Sequence, residues 1–159
     1  MILSVRNRQR ARRLDARFLR RITLALLRQE LSLPETELGI HLVGAQEMAR
    51  INETYLGHAG STDVITFDHA ETSLEVSGFA SGVCGELFIC VDDAISFARE
   101  FRTSWQHEVV RYVVHGVLHL RGYDDLKPSL RRAMKREENR LMRRMESLFV
   151  LRRLAVRGP

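Results

Sequence analysis

The chain is poor in cysteine, proline, tryptophan and lysine, with two, three, one and two of each among 159 residues. So few cysteines exclude a disulfide framework and a four-thiolate zinc module. Cys84 and Cys90 share parity on one expected strand, six residues apart, too far along it to bridge, so reduced thiols are expected. No apolar run is long enough to cross a bilayer. The opening Met1-Ile-Leu-Ser-Val-Arg-Asn-Arg-Gln-Arg lacks the apolar stretch of a secretory signal. A cytoplasmic protein with no membrane partner is expected. No repeat and no linker divides the sequence. The expectation is one domain over 1–149, large enough to bury a core, followed by a basic tail over 150–159.

What is abundant is arginine, and it sits at the two ends. Residues 1–21 carry eight Arg and one Asp, a net +7. Residues 22–126 carry six Arg and sixteen acids, a net −10, and residues 127–159 return to +8 with eleven Lys or Arg and three Glu. Arginine presents a planar fork of donors that matches phosphate. Solvated helix faces produce the same composition, but basic ends around an acidic middle fit contact with nucleic acid. Arg12 and Arg13 at one end, and Arg131 and Arg132 at the other, are the candidate nucleic-acid-binding residues there.

The chemistry concentrates in His115-Gly-Val-Leu-His119-Leu-Arg-Gly122-Tyr-Asp124-Asp125. Histidines four apart on a helix share one face, one turn apart, close enough to hold a single metal ion. On a helical wheel Glu108, Arg111, His115 and His119 form one narrow polar stripe on a helix otherwise rich in Val, Leu, Trp and Tyr. A polar stripe on a buried helix must find partners or line a cleft. Gly122 can take a positive φ and end the helix. Asp125 can then fold back as a third ligand, leaving a fourth position for water, the mark of a catalytic rather than a closed site. One divalent metal is expected, zinc favoured.

Around this motif the pattern predicts a short strand over 1–6 and a helix from Arg12 to about Leu31. Next come a strand over Leu38–Val43, a helix over Gln46–Leu56, and a β-branched strand over Thr62–Asp68. Asp68 to Val83 reads as a loop, either a flap or a plain surface connection. Gly85–Val91 is the clearest strand. Asp92 or Asp93 is expected to cap a helix through Phe101, and Thr103-x-x-Gln106 to form a capping box for the histidine helix. Ser129 to about Phe149 is a long basic helix. The element order gives an α+β fold.

The motif resembles the signature of the YbeY family, bacterial rRNA maturation factors described as metal-dependent endoribonucleases. That signature runs His-Gly-x-Leu-His-Leu-x-Gly-Tyr-Asp-His, and this chain departs only at the last position, where Asp125 stands for a third histidine. Thr62-Asp63-Val64-Ile65-Thr66-Phe67, Ile51-Asn52-x-x-Tyr55 and Met134-x-x-x-Glu138 also resemble family text, so the likeness runs from about residue 38 to 142. Glu86 stands where the family usually has Asp. Leu56 replaces an arginine that many members carry after the tyrosine. The resemblance implies a small mixed sheet of about four strands with about five helices, zincin-like, with the histidine helix central.

It also implies a single-strand-specific endoribonuclease acting in small-subunit (16S) rRNA maturation and ribosome quality control, with ribosomal RNA and small-subunit proteins as partners. The charge distribution agrees with phosphodiester chemistry. Gly116 occupies the slot where H-E-x-x-H peptidases keep their general base, which disfavours peptide or ester hydrolysis. A ribosome assembly factor with a structural metal is the other alternative. Glu108 and Arg111, on the motif helix, are the catalytic candidates, while Glu86, Asp63 and Asp124 also qualify as general bases. Arg111 and Arg121 are candidate phosphate contacts, although an Arg111–Glu108 ion pair three residues apart accounts equally well for Arg111.

Overall fold

The computed structural model describes residues 1–70 and 82–157. Its centre is a four-stranded sheet in the order β1 (Ile2–Asn7), β2 (Glu37–Val43), β4 (Cys84–Cys90), β3 (Val64–Asp68). β1, β2 and β4 are parallel, and β3 closes one edge antiparallel to β4. The helices are α1 (Ala16–Ala25), α2 (Ala45–Leu56), α3 (Val91–Phe101), α4 (Trp105–Leu120) and α5 (Pro128–Leu148). This is the α+β fold expected, a small mixed sheet with five α-helices among the described residues. None of those helices is long and apolar enough to cross a membrane.

Alternation along the strands sorts the two faces. Leu38, Ile40 and Leu42 of β2 join Leu87 and Ile89 of β4 in the main core with α1 and α4. The opposite face carries His41, Glu86 and Phe88, and a smaller core of Val43, Met48, Ile65 and Cys90 forms where α2 packs. α4 buries Val109, Val110, Val113, Val114, Val117 and Leu118. Gly116 has its own reason. A Cβ there would lie 2.7 Å from Cδ2 of the fully buried Leu87, so the absent side chain lets α4 approach β4. The slot that holds a general base in H-E-x-x-H proteins here faces the sheet.

Several local expectations shift. The first helix begins at Ala16, not Arg12, because the Asp15 side chain accepts from Phe18 N–H and caps it there. After Ala25 the chain widens into a π turn over Leu26–Glu30, which keeps both Leu26 and Leu27 buried. α3 starts at Val91 with no side-chain cap. Asp92, expected to cap it, accepts instead from the Ala45 N–H at 2.7 Å and so satisfies the first turn of α2. The capping box is displaced by one residue: Ser104 accepts from His107 N–H, and Thr103 donates to Glu108. Most of the expected flap, residues 71–81, lies outside the described residues.

The chain beyond α5 folds back. Leu151 and Leu154 are buried on a single 3-10 turn, Asp15 N–H donates to the Leu154 carbonyl, and Val156 N–H donates to that of Arg13. Burying a leucine contributes ~1.5–3 kcal/mol, so this basic segment is anchored by its two leucines rather than its charge.

Candidate metal centre

α4 stops at Leu120, and the stop is a glycine-dependent turn. Gly122 takes φ 100°, its N–H donates to the His119 carbonyl at 2.9 Å, and Tyr123 N–H donates to that of Leu118 at 3.0 Å. This pair of bonds is a Schellman motif, which the positive φ of glycine permits. The chain reverses and brings Asp125 to the two imidazoles. One ligand atom from each of His115, His119 and Asp125 lies within 4.8 Å of the others.

The tautomers follow from the partners. His115 Nδ1 lies 2.8 Å from Glu138 Oε2, and His119 Nδ1 lies 3.1 Å from the Tyr123 carbonyl oxygen. A carboxylate and a carbonyl can only accept, so each Nδ1 carries the proton and donates. In the neutral rings both Nε2 atoms therefore present lone pairs, and those atoms are 3.1 Å apart. Two facing lone pairs at that distance repel unless a cation or a proton stands between them. Asp125 Oδ2 adds a negative oxygen 3.7 Å from His119 Nε2. Tetrahedral ligands about 2.0 Å from one ion sit roughly 3.3 Å apart, so this donor set fits a divalent metal. Outward-tied Nδ1 atoms are also how metal-binding histidines are commonly oriented.

Glu138 has no role in the sequence reading beyond its Met-x-x-x-Glu resemblance, yet it organises the site. It projects from α5, almost fully buried, and also accepts from Arg111 Nη1 at 2.7 Å. Burial alone would raise its pKa. Hydrogen bonds from His115 and Arg111, with the Lys135 charge, overcome that and hold the carboxyl at about 2. The sequence signal was a lone acid on the apolar side of a basic helix. Arg111 is held by Glu138, by Asn139 at 3.2 Å and by a 3.3 Å contact to His107, while its Nε lies 4.0 Å from Glu108.

A cleft of about 230 Å³ opens beside the triad, lined by Asp63, Phe97, Glu108, Arg111, Tyr112 and His115 and, from the chain after α4, by Asp125, Arg131, Met134, Lys135 and Glu138. Of the expected residues, Asp63, Glu108, Arg111, His115, Asp125 and Arg131 share this cleft. Arg131 Nε also donates to the Asp125 carbonyl at 3.1 Å. Arg121 and Arg132 are exposed outside it, and Arg12 and Arg13 line a separate groove with Arg10. Leu56 is exposed at the end of α2, away from these walls. Neither cysteine joins the cluster. Burial pushes the Cys90 thiol up to about 12, as befits a core side chain.

The family model of Endoribonuclease YbeY matches residues 4–146. The chain belongs to the YbeY family. Endoribonuclease YbeY of Salinibacter ruber is 36% identical over 141 residues, covering 88% of this chain and 89% of that protein. Its counterpart in Chlorobium luteolum is 34% identical over 145 residues, covering 91% and 98%. The solution structure of TM1509 from Thermotoga maritima shares the fold, with a TM-score of 0.64 at 20% identity, covering 92% of this chain and 90% of that one. Within this YbeY-family chain, the triad and Glu138 all fall inside the matched residues.

Proposed function

We propose that this protein is a metal-dependent endoribonuclease that cuts single-stranded RNA during maturation of the small-subunit ribosomal RNA, in the cytoplasm and in contact with small-subunit proteins. The observation that carries the reading is the pair of Nε2 atoms 3.1 Å apart, both set as acceptors, with Asp125 beside them. The names of the curated relatives supply the substrate class. His115, His119 and Asp125 would hold one divalent ion, zinc favoured, and the ion would supply Lewis-acid activation of water and of a phosphate oxygen.

The chain's own residues do the rest. Glu138 holds His115 in its donor orientation, and the Tyr123 carbonyl does the same for His119. Arg131 and Lys135 line the cleft and would attract a phosphate entering it. The exposed arginines of α5 and of the segment before α1 extend the attraction along the backbone of an RNA. A carboxylate in place of the family's third histidine reduces the net charge of the bound site, so activated water should form less readily.

A purely structural metal is disfavoured by the placement of the triad. Its histidines and Asp125 are partly exposed at a helix end, while the main core is assembled from apolar side chains of every layer. Chelation should therefore abolish cutting of ribosomal RNA while leaving the melting transition cooperative. Unfolding on chelation would assign the metal to structure instead. Asp125→His should raise activity. Mapping the new 3′ ends separates attack by water from attack by the RNA's own 2′-hydroxyl.

A further inference from the structure

The cleft contains a buried carboxylate that the metal site does not use. Glu108 is 1% exposed and lies on the cleft wall, one helical turn below Tyr112. Its Oε1 accepts from Thr103 Oγ1 at 2.8 Å, but Oε2 accepts no hydrogen bond. The nearest cation, Arg111 Nε, stands at 4.0 Å, beyond hydrogen-bond reach. Buried carboxylate oxygens are rarely left without a donor, so Oε2 is a polar atom in this cleft wall whose partner is missing.

The rim beside it is aromatic. Phe97 lines the cleft and is 40% exposed, and Phe101, one turn on, stacks against it with centroids 4.3 Å apart. An exposed stacked pair at the mouth of a cleft is a platform for a flat ring. At roughly 30 Å³ per water, the cleft of about 230 Å³ has room for one such ring. Charge orients the occupant. Asp63 and Glu108 repel phosphate, Arg111 is held by Glu138, and α5 brings Arg131 and Lys135 to the cleft. The polar edge of a base suits the acids, and its phosphate suits the cations of α5.

We propose that the cleft beside the triad is a base-reading pocket that seats one unpaired nucleobase on Phe97 and selects guanine through Glu108. This rests on the endoribonuclease reading given above. Guanine offers two adjacent donors, N1–H and the N2 amine, which a carboxylate can accept together, with the O6 acceptor beside them. Tyr112, four residues along the same helix face, lines the cleft too. Burial and the nearby Asp63 and Glu108 charges push its phenol well above the usual range, so it keeps its proton and can donate to O6. Adenine and cytosine offer one amine each. Uracil places its single N–H between two carbonyls, which a carboxylate repels.

The test uses the full chain loaded with zinc and short single-stranded RNAs identical except for one central G, A, C or U. In parallel, binding of GMP and UMP is measured by calorimetry. The G substrate is expected to exceed the U substrate in kcat/KM by about tenfold or more, with GMP binding tighter by a similar ratio. Glu108→Gln should collapse both ratios to within about twofold, since an amide offers one acceptor where the carboxylate offers two. Tyr112→Phe should lower them while leaving the fold intact, which keeps the idea testable if Glu108→Gln fails to fold. Phe97→Ala should weaken all four bases alike, by about five- to a hundredfold.

Equal G and U ratios in the wild type, or ratios untouched by Glu108→Gln, would overturn the pocket. In the latter case Arg111 supplies the missing donor. RNA cut without base preference leaves the nuclease standing and removes the pocket. RNA left uncut while GMP still binds in a Glu108-dependent way removes the nuclease and keeps the pocket.

Discussion

Two histidine pairs in this molecule each meet a glutamate, and among the described residues only one pair makes a candidate metal site. His41 and His69, on the sheet face away from α4, both turn Nε2 toward the same carboxylate, Glu86, at 2.8 and 3.1 Å. His41 Nδ1 lies 3.1 Å from Arg8 Nη1, and since arginine only donates, that nitrogen accepts and Nε2 donates to Glu86. Both His41 nitrogens are spoken for, and its ring stacks on Phe88 with centroids 4.4 Å apart. His115 and His119 instead tie their Nδ1 atoms outward and turn two lone pairs toward one point. The residue types are the same. What differs is which nitrogen is left over and where it points.

The comparison can be broken most severely by removing the pairs themselves. His115→Ala with His119→Ala should lower bound metal, measured by elemental analysis of purified protein, from about one ion per chain to near zero. His41→Ala with His69→Ala should leave metal content unchanged. Equal metal loss in both doubles would erase the distinction. Next in size, Glu138→Gln takes the carboxylate from behind His115 and should weaken metal affinity by about 10–100-fold, read from a competition titration with a chelator. Gly116→Ala tests whether the close approach of α4 to β4 is needed. Crowding Leu87 should cost about 1–3 kcal/mol, seen as a fall in Tm of a few degrees.

The smallest effect belongs to the second pair. The hydrogen bond from His69, opposed by burial and aided by His41, lowers the Glu86 pKa below its usual value. A carboxyl depressed in the folded state binds its proton more readily when unfolded. Its stabilisation is thus present above about pH 4.3 and fades as pH falls through the folded-state value. Glu86 is 41% exposed at its side chain, so the contribution is screened and should stay under about 1 kcal/mol. Urea unfolding of wild type and Glu86→Gln from about pH 6 down to pH 3 should show the two curves converging on the acid side. Parallel curves would mean that Glu86 contributes nothing through its charge.

Much of the fold was legible because its signals are local. Strands β1, β2 and β4 and helices α2 and α5 fall within a residue or two of their expected limits, since alternation and helical spacing survive burial. Two of the misplaced features depend on distant partners. Asp92 is a good helix cap by type, but its carboxylate accepts from the open N–H of Ala45 instead. Arg12 through Asp15 read as helix from the apolar spacing that begins at Leu14, yet Leu14 is drawn into a bridge with Ala155 from the far end of the chain.

The same division runs through the site. The sequence by itself determined two imidazoles one turn apart, the glycine that ends their helix, and an aspartate within reach, because helix period and turn chemistry act over a few residues. Only the tertiary structure decided which nitrogens stay free. That choice lies with Glu138, brought from α5 to His115 across 23 positions of chain, and with the chain reversal that carries the Tyr123 carbonyl back to His119. Tertiary packing also left one Glu108 oxygen without a donor on the wall of a cleft. A proton's place on a ring is set by whatever acceptor packs against it, and packing across the fold leaves no periodic trace in the chain.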